Sequence, residues 1–134
     1  NHKDRVNSID YEREKNWMVS GSKNGQVIIW KALDGKIIKE FNYHKDEINQ
    51  VAFSPNRNLV ASCSDDSTVK VWEPKTGKII TDFTKHDSAV TSLVFSPDGK
   101  KIITGSNSGE IKVWDVQTGK IINNFSKHEY KLLL

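Results

Sequence analysis

The chain has 134 residues, about the length of one domain. Hydrophobic residues make up 36% of it and charged residues 28%, and four Trp, five Phe and three Tyr supply the large apolar surfaces that a disordered chain lacks. The net charge of +3 is only mildly basic, the lone Cys63 excludes an intrachain disulfide framework, and no stretch approaches the ~18 apolar residues of a membrane span. A single thiol fits a reducing compartment, so an intracellular setting is expected: the cytoplasm first, with nuclear or cytoskeletal sites also open.

Repetition decides the architecture. Trp30, Trp72 and Trp114 lie 42 residues apart, and His2, His44, His86 and His128 keep the same interval. Sliding by 42 also superposes Tyr11, Phe53 and Phe95, then Gly35, Gly77 and Gly119, then Phe41, Phe83 and Phe125, without a gap. The chain divides into repeats at about 2–43, 44–85 and 86–127, with the start of a fourth at 128–134.

Each repeat reads as four short strands without helical periodicity. The first strand of each carries apolar residues at i, i+3 and i+5 (Val6, Ile9, Tyr11; Ile48, Val51, Phe53; Val90, Leu93, Phe95), a break in alternation that predicts a bulge near its start. Turn residues separate the strands at Asn24-Gly25, Asp34-Gly35, Ser54-Pro55, Thr76-Gly77, Pro97-Asp98-Gly99 and Ser108-Gly109. In the second repeat the spacing predicts strands at about 48–53, 58–63, 68–73 and 78–83. The expected fold is all-β: four-stranded antiparallel meanders, each too small to bury both faces alone and so stacked face to face.

The period, and third strands ending in Val71-Trp72-Glu73 and Val113-Trp114-Asp115, resemble the WD-repeat β-propellers across essentially the whole chain. The terminal Trp-Asp pair survives only at Trp114-Asp115, with Trp30-Lys31 and Trp72-Glu73 elsewhere. The resemblance implies a buried hydrogen-bonded set in each blade. In the second repeat it maps onto His44, Ser62, Asp66 and Trp72. In the first it maps onto His2, Ser20 and Trp30 with Asn24 at the acidic position, and in the third onto His86, Thr104 and Trp114 with Ser108 there. On that basis the middle blade is expected to be the best locked.

His44, Ser62 and Asp66 are also the residue types of a hydrolase triad, but a set that recurs with one period and loses its Asp twice reads as structure rather than catalysis. Histidines spaced 42 apart go one to a blade, so no metal site is expected, and no motif calls for a cofactor. Cys63 aligns with Gly21 and Gly105 and reads as a buried, inert thiol. Closed propellers have roughly four to eight blades. Three leave two apolar faces uncovered, so the expectation is part of a ring of about seven, completed by on the order of 160 further residues of the same chain. A two-copy ring of six is the lesser alternative.

The resemblance implies a non-catalytic scaffold that binds proteins or peptides within a multi-subunit assembly. Family position puts partner contacts on the top face, at Arg5, Asn7 and Lys23, then Glu47, Asn49 and Asp65, then Ala89, Thr91 and Asn107. The blades would thus present basic, acidic and neutral sectors. A nucleic-acid-binding subunit is the alternative raised by the basic charge, against which only three of the twenty cations are Arg and the Lys are spread around the repeats. A substrate-docking module of a larger enzyme is a further alternative.

Overall fold

The structure is a computed structural model that describes residues 2–56, 58–84 and 86–125; the fourth-repeat start at 128–134 lies outside the described residues. Twelve strands occur in it: β1 (Val6–Glu12), β2 (Trp17–Ser22), β3 (Val27–Lys31) and β4 (Ile37–Phe41); β5 (Ile48–Phe53), β6 (Val60–Ser64), β7 (Val69–Trp72) and β8 (Ile79–Phe83); β9 (Val90–Phe95), β10 (Lys101–Ser106), β11 (Ile111–Asp115) and β12 (Ile121–Phe125). Each consecutive four form one antiparallel sheet in chain order. Three strands of the second repeat start later than the spacing suggests, because Asn58 and Leu59 close the β5–β6 turn, Thr68 completes the β6–β7 turn and Lys78 the β7–β8 turn.

The register slips near the start of each first strand, between Val6 and Ser8, between Ile48 and Gln50, and opposite Gly105 and Ser106 where β9 begins. A second irregularity, not legible in the apolar spacing, falls at every Trp: between Ile29 and Trp30, Val71 and Trp72, and Val113 and Trp114. Such slips twist the strand locally. Here they turn the Trp-bearing end of the third strand against its outer neighbour.

The three sheets stack face to face, with β5 packed on β1 and β2, and β9 packed on β5 and β6. Two dry layers result. Val19, Val27, Ile29 and Phe41 of the first sheet meet Ile48, Val51, Val60 and Trp72 of the second. Ala61, Val69, Val71 and Phe83 then meet Val90, Leu93, Ile102 and Trp114 of the third. Each fully buried side chain of this size contributes roughly 1.5–3 kcal/mol, so the layers rather than any single sheet hold the fold.

The sheets also close on one another at the outer edge. Phe41 lies 4.2 Å from the Trp72 ring and Phe83 lies 4.4 Å from Trp114, centroid to centroid. Gly77 lies under Phe41, where a Cβ would stand 2.7 Å from Cε1, and its φ of +80° also favours glycine.

Candidate interaction surface

The His–hydroxyl pair is present in all three blades. His2 Nε2 is 2.5 Å from Ser20 Oγ, His44 Nε2 is 2.8 Å from Ser62 Oγ, and His86 Nε2 is 2.6 Å from Thr104 Oγ1. The indole N–H of Trp30 donates to Ser20 and that of Trp114 donates to Thr104, each at 2.8 Å. Trp72 does not join its set: its buried Nε1 has no hydrogen-bond partner among the described residues. The expectation that the middle blade is locked by all four members is therefore corrected. Trp72 is seated instead by rings, with Phe41 tilted at 54° and Tyr43 edge-on at 6.3 Å, whereas Trp114 lies stacked on Phe83 at 28°.

The acidic leg differs too. Asp66 Oδ2 sits 2.9 Å from His44 Nδ1 and accepts from Lys45 N, while Oδ1 accepts from the Thr68 hydroxyl and amide. Burial opposes the Asp66 carboxylate, but the hydrogen bonds from His44 and Thr68 outweigh it and hold its pKa well below the usual range. Asn24 and Ser108 do not take the corresponding place. Asn24 Oδ1 caps its own turn, accepting from Ser22 Oγ and Gln26 N. Ser108 is held by Asp87 and Ser88.

Two residues further on, Gln26 Oε1 approaches His2 Nδ1 at 3.2 Å and Glu110 Oε1 approaches His86 Nδ1 at 3.5 Å. Glu110 also pairs with Lys112 at 3.3 Å. The sequence signal was a polar residue two places beyond the acidic position in every repeat: Gln26, Thr68, Glu110. Burial lowers the pKa of His2 and of His86, against the opposing pull of Gln26 and Glu110 respectively. Cys63 is buried, and its thiol pKa is pushed up to about 12, chiefly by that burial.

Of the top-face positions, several tie blades together. Asn7 Nδ2 donates to Ile48 O at 2.9 Å and to Glu47 Oε2 at 2.7 Å, and Arg5 pairs with the same carboxylate at 3.2 Å. Asn49 Nδ2 repeats this one blade on, donating to Val90 O at 2.8 Å and to Asp65 Oδ1 at 2.7 Å. Thr91, the third member of that register, bonds within its own sheet to Gly105 O. Sequence reasoning missed three further laces. Ser8 Oγ accepts Val51 N, Asp10 Oδ2 accepts Phe53 N, and Gln50 Oε1 accepts Leu93 N, at 3.1, 2.8 and 3.0 Å. The innermost strands of adjacent sheets are thus joined by side chains bonded to backbone, with no strand ladder between them.

Lys23, Asp65 and Asn107 are different. Their backbone amides donate to Arg5 O, Glu47 O and Ala89 O at 2.8, 2.9 and 2.8 Å, while their side chains are exposed. The Lys23 and Asn107 side chains make no hydrogen bond among the described residues, and Asp65 keeps one carboxylate oxygen, Oδ2, clear of the Asn49 bond. Among the described residues no group of three or more His, Cys, Asp or Glu could hold a metal ion.

Four-stranded antiparallel sheets stacked face to face on a 42-residue period are blades of a β-propeller. The family model described as "WD domain, G-beta repeat" matches residues 1–31, 35–73 and 77–115, and the chain belongs to this WD-repeat family. The second and third matches each take the outer strand of one sheet with the first three strands of the next, so a sequence repeat spans two blades.

The guanine nucleotide-binding protein beta subunits of Zea mays and of Oryza sativa subspecies indica and japonica are each 50% identical over 32 residues, 24% of this chain and 8% of the relative. Among solved structures, the computationally designed Ika8 and Ika4 proteins are both 32% identical with a TM-score of 0.84. The chain is covered to 92% and 93% respectively, against 37% of Ika8 and 74% of Ika4.

Proposed function

We propose that this chain is a non-catalytic protein-interaction scaffold inside the cell, which engages a protein or peptide partner through the top face at Lys23, Asp65 and Asn107. WD repeats generally mediate protein–protein interaction, and that is the role the family membership supports. The observation that carries the specific surface is the pairing of a pinned backbone amide with an exposed side chain at the same register of each blade. A pinned backbone has no loop freedom left to lose on binding, so the ordering cost is confined to the side chain itself. The three positions read basic, acidic and neutral around the face, which suits a partner segment carrying charges of both signs rather than a polyanion.

The test places a photoreactive residue at position 65 or 107 and, as rim controls, at position 36 or 120, directly before the outer strands β4 and β12. Partners cross-linked from the top positions and not from the rim are expected. Cross-links from the rim alone would overturn the assignment. Exchanging the charges by Lys23→Glu with Asp65→Lys should abolish the top-face cross-link while lowering the stability of the fold by about 1 kcal/mol or less, for the lost Asn49–Asp65 bond.

A further inference from the structure

Asn24 and Gly25 form the one Asn-Gly pair of the sequence, in the turn between β2 and β3. The Asn24 side chain is exposed, and its Oδ1 accepts from Gln26 N at 3.2 Å and from the Ser22 hydroxyl. The bond to Gln26 closes a ring around Gly25, which folds the side-chain carbonyl back towards the Gly25 nitrogen. Gly25 has no Cβ to shield that nitrogen, and at its φ of +87° a Cβ would stand 2.7 Å from His44 O. The Asn24 Nδ2 group makes no hydrogen bond among the described residues.

We infer that Asn24 is a site of self-modification, where the side-chain amide is lost as ammonia and a carboxylate takes its place. The Gly25 amide gives its proton to solvent, and its nitrogen attacks Asn24 Cγ. The bond from Cγ to Nδ2 then breaks, Nδ2 takes a proton from solvent and leaves as ammonia, and a five-membered succinimide remains. Water opens that ring. Cleavage between Cγ and the Gly25 nitrogen gives aspartate in an ordinary backbone, and cleavage at the main-chain carbonyl gives an isoaspartyl linkage. One water is consumed and one ammonia released.

The turn favours this path at two steps. It holds the reacting carbon near the nucleophile. It also aims the Ser22 hydroxyl and the Gln26 amide at Oδ1, the oxygen that becomes negative as Cγ turns tetrahedral. The bond from Gly25 N to Ser22 O, at 3.2 Å, opposes attack and must open first. Other turns lack one ingredient each. Asp34 and Asp98 enclose Gly35 and Gly99 in the same way, accepting from Lys36 N and Lys100 N at 3.0 Å, but an ionised carboxylate is a poor electrophile. Asn56 accepts from Asn58 N at 3.3 Å but encloses Arg57, a residue with a Cβ. Position 24 is the register of Asp66, and the new charge stands beside Lys23, where it cancels the basic sector of the surface proposed above for a partner. The chemistry itself does not rest on that reading.

The test holds the folded protein at mildly alkaline pH, digests it at intervals and weighs the peptides. The peptide with Asn24 should gain about 1 Da, the difference between amide and acid, and appear in aspartyl and isoaspartyl forms. It should convert at least about ten times faster than the peptide with Asn56. Ser22→Ala keeps the Asn-Gly pair but removes one donor to Oδ1, and should slow the conversion several-fold. Ser22→Cys, closer in shape and a weaker donor, should slow it too, and decides the matter where the alanine variant loses the wild-type circular dichroism spectrum. Conversion at Asn56 as fast as at Asn24, or a folded Ser22 variant that converts as fast as wild type or faster, would overturn the inference.

Discussion

Replacing Trp72 by Phe should cost the protein far less than replacing Trp114 by Phe. Both indoles are buried to within 1%, and each packs on a Phe of the preceding blade, at 4.2 Å for Trp72 and 4.4 Å for Trp114. Trimming Trp to Phe leaves a similar void in either place, about 1–2 kcal/mol by comparison with other core truncations. The polar side of the exchange differs in sign. At Trp114 the substitution also removes the N–H bond to Thr104, about 0.5–1.5 kcal/mol, for a total of about 2–3 kcal/mol. At Trp72 it removes a buried N–H that has no partner, a relief of about 1–3 kcal/mol that cancels the void. The difference of about 2 kcal/mol corresponds to roughly 1 M in urea midpoint at the m-values of small domains. Urea titration followed by circular dichroism, which does not depend on the altered fluorophore, would measure it. A Trp72→Phe midpoint as low as that of Trp114→Phe would refute the reasoning and restore the complete four-member lock to the middle blade.

Asn49→Ala should destabilise by about 1–2 kcal/mol because it leaves Val90 O without its donor, whereas Thr91→Ala should stay within about 0.5 kcal/mol; paired denaturant titrations distinguish them. Gly21→Ala should cost about 1–3 kcal/mol by overpacking, since its Cβ would stand 2.4 Å from Ile48 Cγ2, and the thermal midpoint should fall accordingly. Acid should unfold the protein in two stages, read as urea midpoints across a pH series. His2 and His86 have folded pKa values below 6.5, so stability is full above that pH and falls as the unfolded chain takes up protons more readily. Asp66, also depressed, contributes stability above its unfolded pKa near 3.8 that is lost as pH falls towards its lower folded value. Asp66→Asn should shrink the second stage, to which the lowered Asp87, Asp98 and Asp115 also contribute, and leave the first.

The blades were legible because a 42-residue period repeats both the apolar positions and the turn residues, and stacked sheets offer few other ways to bury such a pattern. The locks were legible only in part. A position aligned by number carries no information about reach. Asp66 is short and touches its histidine from within the turn, whereas the longer Gln26 and Glu110 reach theirs from two residues beyond it. Tyr43, which meets the Trp72 ring edge-on, is likewise supplied by no other repeat, since the 42-residue register gives Lys85 and Lys127 there. Nor could spacing separate Asn49 from Asp65 as top-face residues. That distinction lies in what each side chain bonds: Asn49 donates to Val90 O across the gap between sheets, whereas Asp65 accepts from Asn49 within its own blade.

That gap explains how one face can be both a joint and a display. The innermost strands of adjacent blades form no ladder, so amides and carbonyls on one are satisfied by side chains reaching across from the other: Asn7, Ser8, Asp10, Asn49 and Gln50. Changing any of these leaves a backbone group unpaired at about 1–3 kcal/mol. The adjoining turns are fixed by bonds between backbone atoms, Lys23 N to Arg5 O, Asp65 N to Glu47 O and Asn107 N to Ala89 O, which any residue but proline permits. Lys, Asp and Asn can therefore occupy one register at no cost to the fold. Partner specificity on this surface should be written in the residues whose backbones are tied and whose side chains, unlike those of Asn7 and Asn49, hold no neighbouring blade.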